Sequence, residues 1–143
     1  MVADEGRPTG TTISFKPDPQ IFPDTDFRWD ILEHRLRELS YLNPGAHIKL
    51  VDERVDKDGN IREALFCSED GLAGYVKWLN RSKNTIGPIV RIQANDPEKE
   101  LLLDCAMQYT DSTSEILLAF GNNIMNRDGG THVSSTGQVG RLE

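Results

Sequence analysis

Three histidines, His34, His47 and His132, and two cysteines, Cys67 and Cys105, are the side chains of this chain most capable of proton transfer or nucleophilic attack. Such groups act only beside a partner that takes or holds the proton. No short Ser/His/Asp or Cys/His spacing supplies one, so each histidine reads as satisfied or exposed. Neither cysteine has the nearby Cys or His that a metal site requires, and both fall in strand-like runs, where they read as buried free thiols. Asp52, Asp56 and Asp58 crowd together but lack the length and terminal Glu of a calcium loop, so the segment reads as a turn. Gly129-Gly130-Thr131-His132 has the composition of an anion-binding loop. It is read as a structural turn, with contact to nucleotide-linked elements as the alternative.

The elements that position these residues follow from periodicity. Thr11, Ile13 and Phe15 alternate with Thr12 and Ser14, the period of a half-buried strand, and Pro17, Pro19 and Pro23 then enforce an extended connector. Asp24, Thr25 and Asp26 offer capping oxygens to a helix whose stripe is Trp29, Leu32, Leu36 and Leu39. Its mixed charges, with Glu33 and Arg37 four apart, predict a solvated outer face. Asn43-Pro44-Gly45 stops it. Strands are expected over 47–53 and 61–67, joined through Asp58-Gly59. A second helix begins at Ser68, Glu69 and Asp70 and buries Leu72, Tyr75, Val76 and Leu79. Three more runs follow. In the first, Val90, Ile92 and Ala94 share a face; in the second, Leu101, Leu103, Cys105, Met107 and Tyr109 do; the third spans 116–120.

Composition narrows the class. The 143 residues, 37% of them hydrophobic, suit a globular chain of one domain or two partial ones. No apolar run approaches the ~20 residues that span a bilayer, and the start has no secretory signal, so a cytoplasmic location and no membrane role are expected. A net charge of −7 argues against strong direct DNA binding.

Several segments, taken in order, carry a family resemblance. Thr9-Gly10-Thr11-Thr12-Ile13-Ser14-Phe15-Lys16-Pro17-Asp18-Pro19, Arg35-Leu36-Arg37-Glu38-Leu39-Ser40-Tyr41-Leu42-Asn43 and Gly71-Leu72-Ala73-Gly74-Tyr75-Val76-Lys77-Trp78-Leu79-Asn80 are followed by Gln108-Tyr109, Asn122-Asn123-Ile124 and Arg127-Asp128-Gly129-Gly130-Thr131-His132. Together they resemble the B subunits of bacterial type IIA topoisomerases, of the DNA gyrase B and ParE types. Asp70 departs from that pattern, standing where the family has the first of two glycines.

The resemblance implies an α+β chain. Residues 1–69 would be the C-terminal portion of a GHKL ATP-binding α/β sandwich, and residues 70–132 the start of a transducer domain with a left-handed βαβ, ribosomal-protein-like fold. Residues 133–143 leave the family pattern and read as an unstructured or non-native tail. By resemblance, Gly10 and Thr11 belong to the adenine end of an ATP site. The family's cofactors are ATP and Mg2+, and its partners are DNA, the gyrase A or ParC-type subunit and a second B subunit. The family's water-activating Glu, Mg-binding Asn and adenine-reading Asp lie upstream of the matched strand, and its Gln-Thr-Lys loop lies downstream. The chain is therefore expected to be an inactive internal fragment with no catalytic or metal-binding residues. The alternatives are a stand-alone interaction module and another GHKL ATPase such as the mismatch-repair type.

Overall fold

The computed structural model describes residues 9–55, 58–98 and 100–126. Helix α1 runs over Trp29–Leu42, where the three-and-four spacing places it. Its N-cap is Arg28, without a side-chain cap. The capping oxygens expected at 24–26 act earlier: Asp24 Oδ1 accepts the Asp26 amide at 2.9 Å and closes a turn in the connector. The helix ends as its composition requires. The Asn43 amide donates to the Leu39 carbonyl at 3.0 Å, and Gly45 follows at φ +82°, a conformation open to glycine at little strain.

Strands β1 (Ile48–Asp52) and β2 (Arg62–Phe66) form the expected antiparallel hairpin, with Ile48 opposite Phe66 and Asp52 opposite Arg62. Helix α2 spans Gly71–Leu79. A long ribbon follows, β3 (Thr85–Asp96) against β4 (Leu101–Thr110), with an irregularity in register between Ile86 and Val90. The short strands β5 (Phe120–Gly121) and β6 (Ile124–Met125) close around Asn122 and Asn123, both at positive φ. Two positive central residues mark a type I′ turn, which asparagine tolerates well. The chain is α+β, and its described sheets are three antiparallel pairs of consecutive strands.

Helix α1 packs against β1, β2 and α2, and α2 packs against the β3–β4 ribbon. Phe66 and Tyr75 are the buried apolar residues at this junction. Tyr75 stacks on Tyr41 with ring centroids 5.3 Å apart, and it also meets Trp78 and Phe120. Gly74 makes the close approach of α1 and α2 possible, since a Cβ there would lie 3.2 Å from the Tyr41 ring.

Three expectations are corrected. Residues 11–15 form no strand, and Ile13 and Phe15 are exposed, because no described strand lies alongside to take up their amides and carbonyls. Phe15 instead meets the edge of Phe27 at 5.3 Å. Of the run 116–120 only Phe120 enters a strand, for the same reason. Cys67 is exposed, lying one residue beyond β2, whereas Cys105 is half-buried within β4; both thiols are free. Asp56, the 129–132 loop and the 133–143 tail lie outside the described residues.

Candidate functional site

Glu38 is the most informative side chain in the structure, being only 3% exposed although it carries a charge. The mixed-charge face expected to be solvated is therefore in part a buried polar joint. Glu38 pairs with the Arg35 guanidinium one turn earlier and accepts a hydrogen bond from the Tyr75 hydroxyl of α2 at 3.3 Å. Arg35 Nη2 also donates to the Asn123 carbonyl at 2.8 Å, across 88 positions of sequence. Asn123 Nδ2 then donates to Asn43 Oδ1 at 2.8 Å, and Asn43 Nδ2 donates to the Leu39 carbonyl. One carboxylate thus ties α1 to α2 and, through Arg35, to the β5–β6 turn.

Around the joint, charge and aromatic faces are interleaved. Glu33 accepts from Arg37 and from the Trp29 indole, both at 2.7 Å, and the hydrogen bond from Arg37 is the main reason its carboxyl sits below the usual range. The Arg37 guanidinium also lies over the Phe66 and Trp78 rings. Burial pushes the Tyr75 phenol up from its ordinary value. Further out, Arg54 clasps Asp52 through two donors at 2.8 and 2.7 Å, holding that carboxyl down to about 2, and reaches back to Asp26 and the Phe27 carbonyl. The connector before α1 is tied to the end of β1 by this one arginine.

This arrangement holds elements together and offers no nucleophile with its base. His34 lies beside Trp78, and His47 Nδ1 is 3.2 Å from the Gly45 carbonyl; His132 lies outside the described residues. Among the described residues no group of three or more His, Cys, Asp or Glu is placed to hold a metal. Gly10 and Thr11 are exposed and outside any helix or strand, with open space where a Gly10 side chain would project.

The joint draws on the same segments that resemble the topoisomerase B subunits, and the comparisons agree. The family model for DNA gyrase B matches residues 71–138. The gyrase B protein of Thermotoga maritima is 42% identical over 132 residues, covering 88% of this chain and 20% of that protein. The chain is a homologue of DNA gyrase B. It spans about one fifth of that relative's length.

Solved structures place the gyrase B-type fold on nearly the whole chain. The B subunit of Myxococcus xanthus gyrase superposes with a TM-score of 0.75 over 95% of this chain and 39% of that one, at 23% identity, which speaks to the fold alone. The 43K ATPase domain of Thermus thermophilus gyrase B, solved with an aminocoumarin, reaches 0.64 over 85% and 31% at 30% identity. Within this gyrase B homologue, sequence reasoning found the Glu33–Arg37 pair and missed Glu38, Arg54 and Asn123. The signal available for Glu38 was its three-residue spacing from Arg35 inside a resembling motif. Arg54 and Asn123 reach their partners only through the fold.

Proposed function

We propose that this chain is the segment of a type IIA topoisomerase B subunit that joins the ATP-binding part to the transducer. Residues 1–69 belong to the first and residues 70–132 to the second, and the joint at Glu38 lets one move the other. The single observation that carries this reading is the hydrogen-bonded link from Glu38 to Tyr75, which crosses that boundary, reinforced by Arg35 and Asn43 on Asn123. A charged joint of this kind favours one relative orientation and resists sliding, since its ion pair and hydrogen bonds form in one register only.

In the whole protein the reaction is ATP-driven passage of one DNA duplex through another, giving supercoiling or decatenation. ATP with Mg2+ serves as cofactor, the gyrase A or ParC-type subunit and a second copy of the B-type chain as partners, and the cytoplasm as location. Gly10 and Thr11 sit at the adenine end of the nucleotide site. The segment by itself supplies no catalytic residue. Purified alone it is expected to show no ATP turnover above background, and a turnover that disappears on Thr11→Ala would overturn this reading.

The joint is tested in the full-length protein assembled with its partner. Glu38→Gln is expected to leave nucleotide binding intact while lowering supercoiling per ATP hydrolysed by about tenfold, the weight of ~1.4 kcal/mol. Unchanged coupling in a folded variant would count against it.

A further inference from the structure

Residues 9–28 lead into α1 with little of their own to hold them in place. All but Pro17 are exposed, the prolines at 17, 19 and 23 donate no amide, and the turns at Asp18 and Asp24 are local. Arg28, at the N-cap, has no side-chain cap. The direction from which the chain enters the helix is set from outside, by Arg54, two residues beyond β1.

Arg54 Nε and Nη2 donate to the two Asp52 carboxylate oxygens at 2.8 and 2.7 Å. The Arg54 amide bonds Asp52 Oδ1 at 3.1 Å as well, closing an Asx turn that aims the side chain at the connector. Nη1 pairs with Asp26, and Nη2 also donates at 2.8 Å to the carbonyl of Phe27, the residue before the N-cap. Further contacts extend this clasp in both directions. Toward the start of the chain, Phe27 meets the edge of Phe15 at 5.3 Å, and Phe15 is separated from Thr11 by a span of chain that reaches ~14 Å at most. Toward α1, Asp52 stands opposite Arg62 in the hairpin, and Arg62 lies over the Trp29 ring at 4.3 Å and 3.8 Å from Glu33.

Stability does not account for such a clasp, since exposed ion pairs contribute little, and Arg54 is 53% and Asp26 81% exposed. Its contribution is direction. A planar fork with donors at fixed angles meets three acceptor groups on two segments, which an ammonium does not reproduce. We propose that Arg54 is a positioning residue for the nucleotide site, fixing the segment that bears Gly10 and Thr11 relative to the first turn of α1. This role rests on the reading above that places those two residues at the adenine end, and goes beyond it by naming what holds their segment. Nucleotide bound there then bears on α1 through the hairpin as well as along the connector.

The test uses the full-length protein assembled with its partner. Arg54→Ala and Arg54→Lys are expected to match the parent by circular dichroism and to raise the KM for ATP about fivefold, the low end of coupling between sites, with kcat little changed. Because Arg54→Lys keeps the charge, its loss assigns the effect to the fork and not to the field. Lys49→Gln removes a cation of β1 that pairs with Glu63 and should keep the parent KM. Asp26→Asn should raise KM by itself and add nothing in Arg54→Ala, because both act through one contact. An Arg54→Lys variant with the parent KM, or Asp26→Asn and Arg54→Ala effects that add in full, would overturn the proposal while leaving the functional reading in place. A parent protein that binds no ATP would overturn that reading and this proposal with it.

Discussion

Glu38 shows how a buried charge is kept. Taken from water alone it would protonate or move outward. Here the Arg35 guanidinium and the Tyr75 hydroxyl answer it, and Arg35 remains 41% exposed, so the solvent side of the pair is screened. The neighbouring phenol makes a measurable consequence. The folded state raises the Tyr75 pKa above 10.0, chiefly through burial, so the neutral phenol is favoured in the folded protein. The stabilisation is complete below pH 10 and is lost as pH rises through the folded value, because the unfolded chain ionises first. Denaturant midpoints measured from neutrality upward should therefore fall above pH 10, and in Tyr75→Phe that alkaline fall should be reduced. An identical alkaline profile in the variant would show that another group governs it.

At the scale of elements, the two helices were legible because each carries an apolar stripe with a strong stop signal behind it. The β1–β2 hairpin was legible from Asp58-Gly59 and its flanking alternation. Residues 11–15 alternate and residues 116–120 are apolar on both sides, yet they form no ladder there apart from Phe120, since a local pattern reports a face and cannot report a neighbour. The β3–β4 ribbon gives a second lesson. Val90, Ile92 and Ala94 do pair with Met107, Cys105 and Leu103 on one face. Yet α2 reaches the opposite face, at Gln108 and close to Arg91, and leaves Val90, Ile92 and Leu103 nearly half exposed. Which face is covered depends on where the following elements pack, and no local pattern encodes that.

The contact between α1 and α2 supports a prediction at this scale. At Gly74 a Cβ would lie 3.0 Å from the Asp70 Cβ, 3.2 Å from Ser68 Oγ and 3.2 Å from the Tyr41 ring. Gly74→Val forces the helices apart and is expected to destabilise by about 1–3 kcal/mol, as overpacking does. Chemical denaturation measures it. A variant as stable as the parent would mean that the two helices are not held at this distance in solution.

The molecule as a whole is lightly built. Among the described residues its buried apolar centre consists of Phe66 and Tyr75, while Leu102, Tyr109, Ile13 and Ile21 are each at least 70% exposed. The candidate nucleotide residues Gly10 and Thr11 were named only by resemblance, and the exposed segment that holds them adds no geometric support. The joint is different. Its members are spread from Arg35 to Asn123, and only the folded chain brings them together.

The chain's two tryptophans, Trp29 and Trp78, both lie beneath guanidinium groups, and they sit at different contacts of α1. Trp29 lies under Arg62 of β2 at 4.3 Å, and Trp78 carries Arg37 of α1 at 5.8 Å. Each indole is therefore an optical reporter for one half of the molecule. Emission from Trp29→Phe follows the α2 side, and emission from Trp78→Phe follows the hairpin side. Coincident thermal midpoints, after correction for each variant's own stability, would mean that α1 melts with both neighbours as one cooperative body. Midpoints that separate would mean that one side lets go first, and the variant with the lower midpoint would tell which.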